Sequence, residues 1–145
     1  TDGRPLTIRR PAAIRPWQHV LEPLAGYLLL AERLRAGLSA GASCAFNFGP
    51  PTDQAATVRH VVTLARAAFG VGDVIFAEDD GWPHEAGLLT LETAKSRYQL
   101  GLVPRWNLDE AVQRTMHWYL GYYGQSNDAY ALCNADIDAF ERNGL

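Results

Sequence analysis

The chain has 145 residues, 48% hydrophobic and 20% charged, the size and balance of one globular domain that buries roughly two-thirds of its unfolded surface. A net charge of -3 and a pI near 5.7 argue against a nucleic-acid backbone or an anionic membrane as the main partner. No apolar run approaches the ~20 residues that a membrane-spanning helix needs, and the opening Thr-Asp-Gly-Arg-Pro does not read as a signal peptide.

Residues 6–9 form a short β candidate, and 10–17 a loop. Pro16 fixes its own φ and disfavours the α region for Arg15, which predicts an extended loop with the Arg15 guanidinium free to point at a ligand. Pro23 suits the first turn of a helix over 23–35, where its missing N–H is no loss. Leu24, Leu28, Ala31 and Leu34 recur near a 3.6 period as one apolar stripe, with Glu32, Arg33 and Arg35 at the solvated end. Residues 37–41 are a linker of small residues, and 43–48 read as a buried strand ending at Gly49-Pro50-Pro51. A second helix over 57–69 places Val58, Val61, Val62, Ala65 and Ala68 on one side, with Gly70 as its stop.

Residues 74–77 and 88–91 are further strands, and Thr93 is expected to cap a short helix ending at Gly101. Asn107 followed three residues later by Glu110 makes a capping-box-like start for a long helix to Tyr123, with Ala111, Thr115, Trp118 and Tyr122 on one face. Gly124 ends it, 125–128 is a polar loop, and a final short helix runs over 135–142. Strands separated by helices indicate an α/β arrangement, with too few regular alternations for a complete doubly wound sheet. Cys44 and Cys133 lie far apart with no neighbouring ligand set, so two reduced, mostly buried thiols in a cytoplasmic protein are expected.

The catalytic constellations are mostly missing. A dinucleotide site needs a Gly-rich turn between a strand and a following helix, and Gly70-Val71-Gly72-Asp73 lacks the third glycine and leads into a strand. His84-Glu85 has no second histidine at helical spacing, and His19, His60, His84 and His117 are scattered, so no metal site is expected. A loop bearing Arg15, Trp17, Gln18 and His19 at a helix entrance is suited to an anion or nucleotide. Packing of Trp17, backbone bonds from Gln18 and His19 and a surface charge at Arg15 form the competing reading of the same residues.

The block from Arg15 to Glu32, opening Arg15-Pro16-Trp17-Gln18-His19-Val20-Leu21-Glu22-Pro23-Leu24, closely resembles the corresponding segment of CDP-glucose 4,6-dehydratases, of the extended short-chain dehydrogenase/reductase, NAD-dependent epimerase/dehydratase superfamily. The similarity extends from Leu6 to Tyr119, through Phe46-Asn47-Phe48-Gly49-Pro50 and Trp82-Pro83-His84-Glu85-Ala86, with Glu92 where Asp is usual and Leu102 where Trp is common. The resemblance implies one domain over 1–145, the C-terminal substrate-binding portion, of α/β class with helices, a few short strands and no complete Rossmann sheet. The missing initiator Met fits a fragment.

That resemblance also implies substrate-binding roles. Arg15 stands where related sugar-nucleotide enzymes contact the diphosphate, and a bidentate guanidinium suits two phosphoryl oxygens better than a lysine point charge. Trp17, Gln18 and His19 share the motif, Asn47 is either a donor to the base or a bond to its own turn, and His84 is a candidate donor to phosphate and Glu85 a candidate acceptor for a ribose hydroxyl, with a charged surface turn as the competing reading of both. The superfamily's Tyr-x-x-x-Lys pair is excluded, because Lys95 is the only lysine and position 91 is Leu91. Catalytic residues and NAD are therefore expected from an NAD-binding half in cis or in trans, with no cofactor held by this chain alone. CDP-glucose is the implied ligand; no nucleic acid and no membrane are expected, and a homo-oligomer stays open. A non-catalytic nucleotide-sugar-binding module, or part of another nucleotide-sugar dehydratase or epimerase, is the alternative. Lys95, Trp106, His117 and Trp118 are read as fold determinants; Tyr122, Tyr123 and Tyr130 as either core or a surface for the missing half.

Overall fold

A computed structural model of the chain describes residues 4–37, 45–77, 86–124 and 128–143. In chain order these carry β1 (Leu6–Ile8), β2 (Ile14–Arg15), α1 (Leu21–Arg35), a 3-10 turn (Thr52–Gln54), β3 (Ala56–Thr57), α2 (Val58–Phe69), β4 (Val74–Phe76), α3 (Ala94–Leu100), α4 (Leu108–Tyr123) and α5 (Ala129–Arg142). β1 and β4 pair in parallel, Leu6 opposite Val74; β2 and β3 pair antiparallel, Ile14 opposite Thr57. The fold is α/β as expected, with two small sheets among the described residues and no complete Rossmann sheet.

Local chemistry explains the helices whose ends were legible. Thr57 accepts from the His60 N–H at 3.1 Å to open α2, and Gly70 closes it at φ 83, a left-handed position that glycine takes without strain. Val58, Val61, Val62, Ala65 and Ala68 are all half-buried, and α2 packs on α4. Asn107 caps α4 through the Glu110 N–H at 3.0 Å, but the capping box is only half made, because the Glu110 carboxylate turns to Arg114 at 2.6 Å. α3 ends at Gly101 as expected, yet it is the Glu92 carboxylate, not the Thr93 hydroxyl, that accepts from its first N–H, Ala94 N, at 2.6 Å.

Several expectations are corrected. Residues 45–48 form no strand among the described residues, and the expected strand at 88–91 reduces to a single bridge, Leu88 with Ile14. α5 starts at Ala129 instead of 135, because Asp128 caps it through the Ala131 N–H at 3.0 Å. α1 begins two residues earlier than expected, which still leaves Pro23 in the first turn. Cys133 is exposed, not buried, and Cys44 lies outside the described residues. Most consequentially, the apolar stripe of α1 faces outward: Leu24 and Leu28 are 46% and 69% exposed, and Ala31 and Leu34 are exposed too.

The core lies on the other side of α1. Trp106, Ala139 and Phe140 form it, with Leu21 and Ala25 packed against them, and the Trp106 and Phe140 rings meet edge to face at 5.0 Å. Gly26 is buried where α1 meets the extended run, and a Cβ there would fall 2.7 Å from the Phe48 ring. Tyr122, Tyr123 and Tyr130 sit at the surface, not in the core.

Candidate functional site

The loop between β2 and α1 is held by its own side chains. Arg15 lies in β2, not in a loop, and pairs with Ala56; its Nη1 donates to the Ile14 carbonyl at 2.8 Å and the Ala86 carbonyl at 2.9 Å. The guanidinium is thus anchored through Nη1 instead of standing free. Trp17 Nε1 donates to the Ala56 carbonyl at 3.0 Å, and Gln18 Nε2 to the Phe48 carbonyl at 3.0 Å. One residue earlier, Asn47 Nδ2 donates to the Glu92 carbonyl at 3.1 Å while its own carbonyl accepts from Ser96 Oγ at 2.8 Å. Side-chain bonds to backbone carbonyls therefore join β2, β3, the 45–48 run and the turn before α3 into one patch.

This patch brings Arg15, Trp17, Gln18 and Asn47 into a connected set. Arg15, Trp17 and Gln18 are half-buried and Asn47 is exposed. His84 and Glu85 lie outside the described residues, and Ala86, the next residue in the chain, is the one Arg15 holds.

His19 goes elsewhere. It is 6% exposed, its ring meets Trp106 edge to face at 4.7 Å, and its Nδ1 accepts from the Leu21 N–H at 3.3 Å. Burial lowers its pKa from the ordinary 6.5; Asp136 pulls the other way and Arg114 adds to the depression. The neutral ring that burial favours is also the form that accepts at Nδ1, so His19 works at the start of α1 and not on the patch.

Glu22 was not singled out by sequence and is the most buried carboxylate among the described residues. Only 4% exposed, it accepts at Oε1 from the N–H groups of Arg105 at 2.9 Å and Trp106 at 2.8 Å. Burial raises its pKa, against the lowering effect of those two bonds and of the Arg105 charge. Its place in the first turn of α1, where negative charge is favoured, was the available signal; its partners, more than eighty residues away, were not visible. Arg105 adds a bond from Nη1 to the Phe140 carbonyl at 2.8 Å and lies over the Phe140 ring.

Two expected fold determinants have defined contacts. Trp106 is 5% exposed, with its Nε1 buried and unpaired. Lys95 donates from Nζ to the Ala45 carbonyl at 2.8 Å and lies over the Phe46 ring at 4.3 Å. His117 is exposed, and Trp118 is half-buried, stacking on Tyr122.

Gly70 and Gly72 stand between the end of α2 and the start of β4, the reverse of the strand-to-helix order that presents backbone N–H groups to a pyrophosphate. These residues do not fit a dinucleotide. Among the described residues no group of three His, Cys, Asp or Glu side chains is placed to hold a metal ion, and no helix is long and apolar enough to cross a membrane.

No protein-family model matches the chain. Over 118 residues, 81% of its length, it is 40% identical to the CDP-glucose 4,6-dehydratase of Salmonella typhimurium (strain LT2). The matched stretch is 33% of that protein, so the chain spans about a third of the length of this curated relative. The chain is therefore a homologue of CDP-glucose 4,6-dehydratase, over most of its own length and one third of the relative's.

Proposed function

We propose that this chain is the C-terminal, substrate-binding part of a CDP-glucose 4,6-dehydratase, a lyase of deoxysugar biosynthesis in the cytoplasm. The assembled enzyme would convert CDP-glucose to CDP-4-dehydro-6-deoxyglucose, and NAD would supply the redox chemistry from a half outside this chain, in cis or in trans. This chain's share is binding: it holds the nucleotide diphosphate and so fixes where the sugar sits. It is not catalytic alone.

The observation that carries the reading is the anchoring of Arg15. A guanidinium fixed at Nη1 by two backbone carbonyls has lost most of its rotamer freedom before any ligand arrives, which lowers the entropic cost of binding an anion. Trp17 and Gln18 tie the loop that follows it to Ala56 and Phe48, and Asn47 lies within the same bonded patch. His84 and Glu85 enter the proposal from their place in the sequence motif alone, as contacts to phosphate and ribose. His19 contributes by fixing the entrance of α1 and not by touching substrate.

Calorimetric titration with CDP and CDP-glucose tests this. Arg15→Ala is expected to weaken CDP binding by about 1.5–3 kcal/mol, the worth of a hydrogen bond to a charged group. Arg15→Lys, which keeps the charge and loses the fork, is expected to recover only part of it. Wild-type affinity in Arg15→Ala would refute the assignment of the diphosphate site. Unchanged denaturation midpoints in the variants would show that the patch itself is intact.

A further inference from the structure

Gln18 and His19 are adjacent in the chain and grip different parts of the molecule. The Gln18 amide donates to the Phe48 carbonyl and so belongs to the Arg15 patch, while the His19 ring lies edge-on to Trp106 at 4.7 Å in the core beneath α1. A single peptide bond therefore separates the patch from a buried, titratable ring.

The hold on that ring depends on its being neutral. Its Nδ1 accepts from the Leu21 N–H at 3.3 Å, and its backbone carbonyl accepts from the Glu22 N–H at 3.1 Å, so His19 shapes the entry to α1 through both side chain and main chain. An imidazolium donates at both nitrogens, which would set its Nδ1 hydrogen against the Leu21 N–H.

The charged groups around the ring favour the same state. Asp136 of α5 attracts a positive ring, but it also lies 3.7 Å from Arg114 of α4, whose guanidinium sits over the Trp106 ring at 5.1 Å and is bound by Glu110. Glu22 of α1 has its Oε1 committed to the N–H groups of Arg105 and Trp106, and Arg105 brings a further positive charge. Each of these carboxylates already serves another group, and at 6% exposure the ring has little water to replace them. Burial opposes a charge on His19 most strongly, and Arg114 adds to it.

We propose that His19 is a proton-sensitive positioning residue: its neutral ring keeps the 15–18 segment in the shape that receives a nucleotide diphosphate, and protonation expels the ring from its seat beside Trp106 and loosens that segment. The proposal rests on the reading of Arg15 as the diphosphate anchor and adds to it a loss of affinity in acid. Gln18 and Trp17 carry the change, because a shift of the His19 backbone pulls on the two preceding residues that hold Phe48 and Ala56. In return, a bound diphosphate holds His19 neutral.

The test is calorimetric titration of the chain with CDP-glucose from about pH 8 to about pH 5, the range in which an imidazole titrates. CDP-glucose replaces CDP because the terminal phosphate of CDP takes up a proton of its own at about pH 6. Wild-type affinity is expected to hold above pH 6.5 and to fall about fivefold or more below it, the lower end of an ordinary coupling between sites. His19→Asn puts an amide oxygen near the place of Nδ1 and does not titrate, so its affinity should stay within about twofold across the range. His84, whose place on phosphate would strengthen binding in acid, is present in both proteins and cancels from the comparison.

Two further readouts use the wild-type chain alone. By NMR, the His19 midpoint should coincide with the pH at which the Trp17 indole N–H leaves the Ala56 carbonyl, and CDP-glucose should lower that midpoint by about 0.7 pH for a fivefold effect. Flat wild-type affinity, a fall that persists in His19→Asn, a His19 midpoint indifferent to CDP-glucose that binds, or a Trp17 N–H that does not follow His19 would each overturn the proposal. Failure of CDP-glucose to bind at any pH, with the Trp17 N–H still following His19, removes the substrate reading and leaves the proton-driven release of the segment.

Discussion

α1 and α2 carry the same kind of pattern and use it in opposite ways. In both, apolar residues recur at helical spacing, yet the α2 row of Val58, Val61, Val62, Ala65 and Ala68 is half-buried with α4 as its neighbour, whereas the α1 row of Leu24, Leu28, Ala31 and Leu34 faces water. What α1 buries instead is Glu22 and Gly26, with half-buried Leu21 and Ala25 packed on the core. Periodicity states that a helix has a face to bury; it does not state against what. Where the row stays open, the helix is held by its other face.

The largest effect that would break this contrast is at the core beneath α1. Trp106→Ala is expected to cost about 3–5 kcal/mol in urea denaturation, because it empties the site on which Leu21 and Ala25 rest. Next comes Glu22→Ala, expected to cost about 1–3 kcal/mol for each of the two buried N–H groups, Arg105 and Trp106, left without an acceptor. If either variant unfolds like wild type, α1 is not held by the contacts described.

A matched pair sharpens the comparison directly. Val62→Ser on α2 is expected to destabilise by about 1–2 kcal/mol, and Leu28→Ser on α1 to stay within ~0.5 kcal/mol, as exposed substitutions do. Equal costs at the two positions would mean that the stripe is buried after all.

The smallest effect is the pH dependence at the entrance of α1, where the two buried groups pull in opposite directions. His19 resists protonation when folded, so its contribution declines as pH falls through 6.5 and levels off below its depressed folded value. Glu22 resists ionisation when folded, so its contribution is complete below 4.5 and declines as pH rises through its raised folded value. Stability measured at several pH values should show the acid decline reduced in His19→Gln and the rise toward acid reduced in Glu22→Gln.

Sequence reading succeeded where the signal is local. Both ends of α2 and the cap of α4 depend on residues within four positions, Thr57 with His60, Gly70 with Arg66 and Asn107 with Glu110. The start of α5 rests on an equally local cap, Asp128, that the polar run before it obscured. The strand expected over 43–48 is not found over its described part, 45–48, because an apolar run alone does not supply the second strand that a ladder requires. In the site, the Arg15 to Gln18 cluster was legible as a motif, and its anchoring was not, because Ala56, Phe48 and Ala86 are 39, 30 and 71 positions from the side chains that grip them. Glu22 was silent for the same reason.

The Glu22 clamp also sets an order of events. Its carboxylate closes on amides 83 and 84 residues further along, so the first turn of α1 has no docking site until the turn at Arg105 and Trp106 has taken shape. Shorter-range pairings such as α4 with α5 close a smaller loop and carry a lower entropic cost. The seat of α1, early in the chain, is thus built from residues near its end, Arg105 and Trp106 together with Phe140.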